Sequence, residues 1–511
     1  MNFKVLISAV LASIIAVAGC SSDDNGGGAT GGDAGTGGGG GSAPPATVDC
    51  DDLPAVDAYA VANVFDNVPV TSSDDCTDPR FMLDGADPGA RLNSRLEIAD
   101  PGDVICLEEG TYDMEVTINV SAVDNLTIKG IGDSPDDTVL RFGGPGSGIG
   151  IFVQKDDVTV ENLWVKNSGA NGIEQDGTSG SVFRKVHVSW DEFCDTDDAP
   201  ANCGNACGGA GDCEDELLTC TDGECVGDQG KNGAYGIYPT NCEDTLVEFS
   251  QASDAADAGI YIGKCGWLDA ETTGGIVRYN IAANSVAGLE VENCLDVIAH
   301  DNLVMGNTGG LMPLQQPISA DRPANTGVLM ENNMVWCNNG ENFAETGVVQ
   351  IIPVGTGLLV LGGQGVEVRN NDVQGNRSLG MAIVSSSFTC DAAGADCPPF
   401  SYPYNPYAED IYAHDNFFDN NGTNFDQESD FAILFTLLSL GTPDNPVEDI
   451  LWDGQIRDGV DDPGICLGTD FTGTYRDLSH NMCQGVTPDV AYAGCLADNT
   501  DNDTTGRLCT P

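Results

Sequence analysis

Cations are scarce in this sequence. Its 511 residues hold 19 Lys+Arg against 80 Asp+Glu, and 19 − 80 gives the formal net charge of −61. That excludes nucleic acid as a partner, because phosphate binding needs clustered cations to displace counterions. It equally excludes a polybasic membrane-surface protein. Aromatic residues make up only 7% of the chain. The four His (His187, His300, His414 and His480) have no metal-ligand spacing and form no triad with a Ser. The N-terminal apolar run, Val5 to Ala18, is shorter than the ~20 residues of a membrane-crossing helix. Glycine and cysteine are abundant instead, at 66 and 20 residues. The glycines imply a turn-rich chain, and the cysteines imply an oxidising compartment.

Lys4 followed by the run Val5 to Ala18 reads as a signal segment over residues 1–19. The run ends Val17-Ala18-Gly19-Cys20, which resembles a bacterial lipobox. The resemblance implies cleavage before Cys20 and acylation of that residue. It places the protein in the bacterial cell envelope, lipid-anchored at the outer membrane or cell surface. The bland alternative is ordinary cleavage after Ala16-Val17-Ala18. Residues 20–47 are Gly, Ser, Asp, Ala and Pro without apolar periodicity, the composition of a flexible tether.

Short β-type segments then recur: Val158-Thr-Val160-Glu161-Asn162, Val277-Arg278-Tyr279-Asn280, Ala299-His300-Asp301-Asn302, Met330-Glu331-Asn332-Asn333, Val368-Arg369-Asn370-Asn371 and Ala413-His414-Asp415-Asn416. A second Asn follows about five residues later, at Asn167, Asn307, Asn338, Asn376 and Asn421. Asn tolerates the left-handed corner conformation, and stacked amides can bond from coil to coil. A repeat of this length with alternating side chains predicts an all-β, single-stranded right-handed parallel β-helix. About twelve coils at roughly 4.8 Å each would make a rod on the order of 55–60 Å long. A β-propeller is the rival, but its blades need about 40 residues each. The expected organisation is an N-terminal cap over 48–94, the β-helix over 95–460 with a Cys-rich insertion at 194–230, and a disulfide-stapled C-terminal region over 461–511.

Six further stretches carry a family resemblance: Gly233 to Pro239, Asp257 to Gly263, Asn284 to Asn293, Asn307 to Gly310, Tyr404 to Tyr407 and Ile450 to Gly454. They resemble the bacterial secreted or lipoprotein parallel β-helix repeat proteins, which have a pectin-lyase-like fold. The resemblance covers residues 95 to 480. It implies little chemistry, and as a partner it implies an extracytoplasmic c-type cytochrome-like protein. The Cys-rich insertion and the acidity depart from the family.

Twenty Cys less Cys20 leaves nineteen, an odd number, so at least one thiol is free or pairs between chains. Cys194, Cys203, Cys207, Cys213, Cys220 and Cys225 cluster in the insertion. No His and no C-x-x-C accompanies them, which favours disulfides over a metal knuckle. Cys242, Cys265 and Cys294 close consecutive repeats, so two of them are expected to pair. Expected staples are Cys390 with Cys397, Cys466 with Cys483 and Cys495 with Cys509.

Two outward columns carry chemistry-bearing residues. The first reads Glu161, Arg184, Glu248, Arg278, His300, Glu331, Arg369 and His414, with Asp453 a further candidate. Its alternating signs favour a self-satisfying charge ladder over a catalytic stripe. The second reads Glu174, Tyr238, Tyr261 and Glu290, with Asp176, Thr240 and Glu292 two residues on and Lys264 beside them. Tyrosines among acids serve either as an aromatic ladder or as a site for sugar rings. Paired carboxylates there could exchange protons or hold Ca²⁺. This face is the candidate site.

The hydrolase motifs Gly-His-Gly and Arg-Ile-Lys are absent, and Asp195-Thr-Asp-Asp198 falls inside the insertion. Asp498 to Gly506 resembles a Ca²⁺ loop without its terminal Glu. The expected function is therefore a binding or structural module for polysaccharide or a surface partner. The alternative is a Ca²⁺-assisted polysaccharide lyase or epimerase acting on uronic-acid polymers. Catalysis would require the tyrosine–acid side chains to converge in an open cleft, and a loop covering that face would count against it.

Overall fold

A computed structural model describes residues 47–51, 53, 76, 78, 80–84, 89–144, 146–190, 206, 218–221, 224–227, 229–267, 272–316, 325–386, 404–429, 431–479, 482–483, 489–504 and 506–509. The signal segment, Cys20, most of the tether, Asp195 to Asp198, Cys194, Cys203, Cys207, Cys213, Cys390 and Cys397 lie outside the described residues.

Each coil contributes three short strands. Gly275–Arg278, Ile281–Ala283 and Ala287–Glu292 make one coil, and Val297–His300, Leu303–Met305 and Gly309–Leu314 make the next. Every strand pairs in parallel with its counterpart one coil on. The first two strips merge into a 19-stranded sheet, and the third forms an 11-stranded sheet. Alternation within a strand decides what is inside: Val297 and Ala299 are fully buried while Ile298 and His300 point outward. Stacking repeats the choice, so the inward column Val277, Ala299, Met330, Val368 and Ala413 is at most 1% exposed.

Two Asn ladders run through the corners. In one, each amide Nδ2 donates to the next Oδ1 from Asn280 through Asn302, Asn333 and Asn371 to Asn416, at 2.9–3.0 Å. The other runs Asn307, Asn338, Asn376 and Asn421 at the same spacing. One expectation needs correction. The ladder residues Asn307, Asn338, Asn376 and Asn421 are not the left-handed ones. Positive φ falls on the residue before each of them: Gly306, Cys337, Gly375 and Asn420. The corner turns on that residue, which leaves the following Asn free to aim its amide along the rod.

The cap and C-terminal boundaries also shift. Met82–Leu83 pairs with the strand Val104–Leu107, and the helix Gly89–Leu96 follows, so these do stand at the first coil. Thr47 to Cys50 do not: Cys50 is bonded to Cys337, and Val48 N donates to Gln374 Oε1 at 3.0 Å. At the other end the sheet continues past residue 460, because Tyr475–Asp477 pairs with Ile450–Trp452.

Cys242 pairs with Cys265, and Cys76 pairs with Cys106. The expected C-terminal staples are wrong: the bonds are Cys466–Cys509 and Cys483–Cys495. The last segment folds back on the rod, with Leu467 N donating to Arg507 O at 2.8 Å, which brings Cys509 to Cys466. Cys483 and Cys495 instead clasp the helix Asp489–Asn499. In the insertion, Cys220 and Cys225 lie on an antiparallel hairpin, and both are disulfide-bonded. Cys294 is the free cysteine among the described residues; burial pushes its thiol up to about 12. A thiol reagent is expected to leave it untouched in the folded protein and to label it once urea unfolds the chain. Rapid native labelling would contradict this placement.

Candidate functional site

The candidate face lies on the 11-stranded sheet. Ile173, Ile237, Ile260 and Leu289 stack inward in register. Glu174 and Tyr238 are register partners, as are Tyr261 and Glu290. Thr240 pairs with Asp176 and with Gly263, and Gly263 with Glu292, so Glu292 joins the same face with Lys264 next to it. The structure brings Tyr238, Tyr261, Lys264, Glu290 and Glu292 around one polar cavity of about 240 Å³. Glu174 is not in its lining; it stands half-buried one coil before, accepting from Asn171 Nδ2 at 2.7 Å.

Two titratable members of the cavity, Tyr235 and Asp257, were missed in the sequence, as were Gln316 and the segment Gly347 to Val349. Simple alternation places Tyr235 inside with Ile237. The intervening Gly236 breaks that parity: a Cβ there would meet Gly259 O at 2.4 Å and Ala252 Cβ at 2.9 Å. Gly236 and Ile237 are both buried, so strict alternation is lost there, and Tyr235 is half-buried on the tyrosine face. Its ring stacks on Tyr238 at 4.3 Å, and Tyr261 lies 4.9 Å from Tyr235 and 4.8 Å from Tyr238. The repeated Gly before each Ile or Leu was the available signal.

Burial dominates the electrostatics. It raises the Asp257 carboxyl to about 7, against a hydrogen bond from Tyr235 that lowers it. Glu290, 2% exposed, is driven well above the carboxylate range by burial, then by the charges of Asp257 and Glu292. Glu292 is also raised by burial, while its hydrogen bond with Glu290 and the charge of Lys264 pull it back. Glu290 and Glu292 thus form an interacting carboxyl pair whose charged forms burial disfavours, with Lys264 offsetting the charge at Glu292. Glu290 Oε2 is buried without a hydrogen-bond partner. Burial likewise pushes the Tyr238 hydroxyl up to about 12, so the tyrosines stay neutral donors. Such a set can exchange protons and hydrogen-bond a hydroxyl-rich ligand. Among the described residues no group of three or more His, Cys, Asp or Glu is arranged to hold a metal ion.

The cavity is partly covered. A 3-10 helix, Val348–Ile351, covers its far side, with Gly347, Val348 and Val349 in the lining. Val349 and Ile352 pack in one cluster with Tyr261 and Leu314. The convergence asked of an enzyme is present, and the face is open only in part.

The first column also stacks in register, from Glu161 through Arg184, Glu248, Arg278, His300, Glu331 and Arg369 to His414. Glu248 receives Arg184 Nε and Arg278 Nη2, both at 2.6 Å. Arg369 binds Glu331 at 3.1 Å and Glu367 at 2.7 Å, and His414 binds Glu367 at 3.1 Å. The ladder breaks at His300, which turns to Asp301 at 2.6 Å. Glu161 to Arg278 and Glu331 with Arg369 pair along the column, each step contributing about 0.2–1 kcal/mol, while the two His find carboxylates outside it. Asp453 does not belong to it. That carboxylate is buried behind the other sheet, accepting from Ser385 N at 2.7 Å and Gln455 N at 2.9 Å.

The family described as "Right handed beta helix region" matches residues 116–315 and 230–395, together more than half of the chain. The chain belongs to this right-handed β-helix family. No curated protein sequence matches it. Solved β-helix structures similar to it include an alginate lyase from Paenibacillus sp. str. FPU-7, at 14% identity over 66% of this chain and 95% of that one, with a TM-score of 0.38. Another is the A-module of a mannuronan C-5 epimerase from Azotobacter vinelandii, at 13% identity over 75% and 89%, with a TM-score of 0.44. At these identities the likeness concerns the fold alone. Within this β-helix, the tyrosine–carboxyl cavity is where aromatic faces, perturbed acids and a cation meet.

Proposed function

We propose that this β-helix protein binds carbohydrate in the tyrosine–carboxyl cavity, displayed from the bacterial cell envelope on a lipid anchor at Cys20. One observation carries the reading: three tyrosines, three acids and Lys264 converge on a polar cavity of about 240 Å³. Tyrosine faces suit the apolar side of a sugar ring, and the acids and Lys264 suit its hydroxyls. Burial disfavours charge on both Glu290 and Glu292, and Lys264 offsets what remains at Glu292.

The half-buried Tyr238 gives the cleanest test. Tyr238→Ala is expected to weaken retention on an immobilised glycan panel by about tenfold, the loss of roughly 1.4 kcal/mol of stacking. Equal retention would remove the tyrosine face from the site. The anchor is tested separately: Cys20→Ser is expected to move the protein from the membrane fraction to the soluble one.

The buried acid pair supports a second reading, a polysaccharide lyase or epimerase aided by Ca²⁺. The covered face weighs against it. Incubation with uronic-acid polymers, with and without EDTA, decides: absorbance from unsaturated products that EDTA abolishes would put the lyase first.

A further inference from the structure

The outward column through the cavity changes character along the rod. Register runs Asn119, Phe152, Glu174, Tyr238 on one side of the cavity and Glu290, Met312 on the other. Asn119 is exposed, and Phe152, Glu174 and Tyr238 are half-buried. Tyr261 and Glu290 are 2% exposed, and Met312 is fully buried. Exposure along this column therefore falls from the early coils toward the cavity and is lost just beyond it.

What stops it is a fastened cover. Asn342 Nδ2 donates to Val349 O at 2.9 Å, closing the loop on itself. Thr308 Oγ1 donates to Glu341 O at 2.7 Å, and Lys231 forms an ion pair with Glu345. Behind the cover lies a second cavity of about 70 Å³, lined almost entirely by apolar side chains, among them Leu314, Val348, Ile352, Leu361 and Phe435. A sugar chain continuing in that direction would bury hydroxyls with no hydrogen-bond partner.

We infer that the cavity takes the terminal unit of a glycan chain, with the adjoining units lying back along Tyr238, Glu174 and Phe152. This rests on the carbohydrate reading and adds its mode: recognition of chain ends, not of internal stretches. The closed end makes the distinction, since a passing chain would have to displace Met312, Leu314, Val349 and Ile352 from one packed cluster.

The test uses the full chain and two probe series, a neutral β-glucan and a polyuronate, each as short oligomers and as the long polymer. In the series that binds, affinity per chain is expected to be equal for hexamer and polymer, so that affinity per sugar unit falls as length grows. Limited hydrolysis of the polymer should raise its binding capacity in proportion to the new ends. Binding proportional to total sugar, with no response to the number of ends, overturns the terminal-unit inference and leaves the carbohydrate reading standing. Retention of neither series overturns both.

Discussion

Asn302→Ala is expected to cost about 3–5 kcal/mol of stability, read as a lowered urea midpoint with the fold otherwise retained. The side chain is 1% exposed and fully used. Its Oδ1 accepts from Asn280 N at 3.1 Å and from Asn280 Nδ2 at 3.0 Å. Its Nδ2 donates to Val277 O at 3.0 Å and to Asn333 Oδ1 at 2.9 Å. Removing it strands an N–H, an amide hydrogen and a carbonyl inside the rod. Each buried orphan costs about 1–3 kcal/mol, more than an ordinary hydrogen bond contributes. The ladder magnifies the loss, because neighbouring amides are oriented by one another. A cost below about 1 kcal/mol would mean that water enters the corner and replaces the amide.

The second large effect is a stability that falls as pH rises through neutrality. In the unfolded chain Asp257 titrates near 3.8, whereas in the folded protein it is raised to about 7, chiefly by burial. Between about pH 4 and 7 the folded state therefore keeps a proton that the unfolded state has lost. Stability declines across that window, by up to about 1.4 kcal/mol per pH unit for one such group. Summed, the loss is on the order of 4 kcal/mol, and raised Glu290 adds to it with the same sign. Asp257→Asn keeps the contact with Tyr235 and cannot ionise. Its urea midpoint should change much less than the wild-type midpoint between pH 5 and pH 8. Parallel curves would show that Asp257 is already ionised in the folded state.

Both columns could be read because coils stack in parallel and in register. A residue just outside an inward Val in one repeat then lies above its equivalent in the next, as Arg278 lies against Glu248 and His300. Reading failed where the regularity is interrupted. Tyr235 was hidden by the lost alternation at Gly236, and Asp257 sits in a bend just before the strand Ala258–Gly263. Disulfide partners at the C-terminus depended on a return of the chain that no periodicity announces.

The sequence by itself determined the right-handed β-helix, the direction in which the regularly alternating side chains of a repeat point, and the stacking of Tyr238, Tyr261, Glu290 and Glu292 on one sheet. Local alternation and a repeated glycine are enough for that, since each coil copies the one before. Only the tertiary structure decided that the face is a covered pocket. The cover comes from residues 341–352, one coil beyond Gly309–Leu314, and its place depends on packing with Tyr261 and Leu314, distant in sequence. Burial, which tertiary packing sets, is the first cause that raises Asp257 and Glu290.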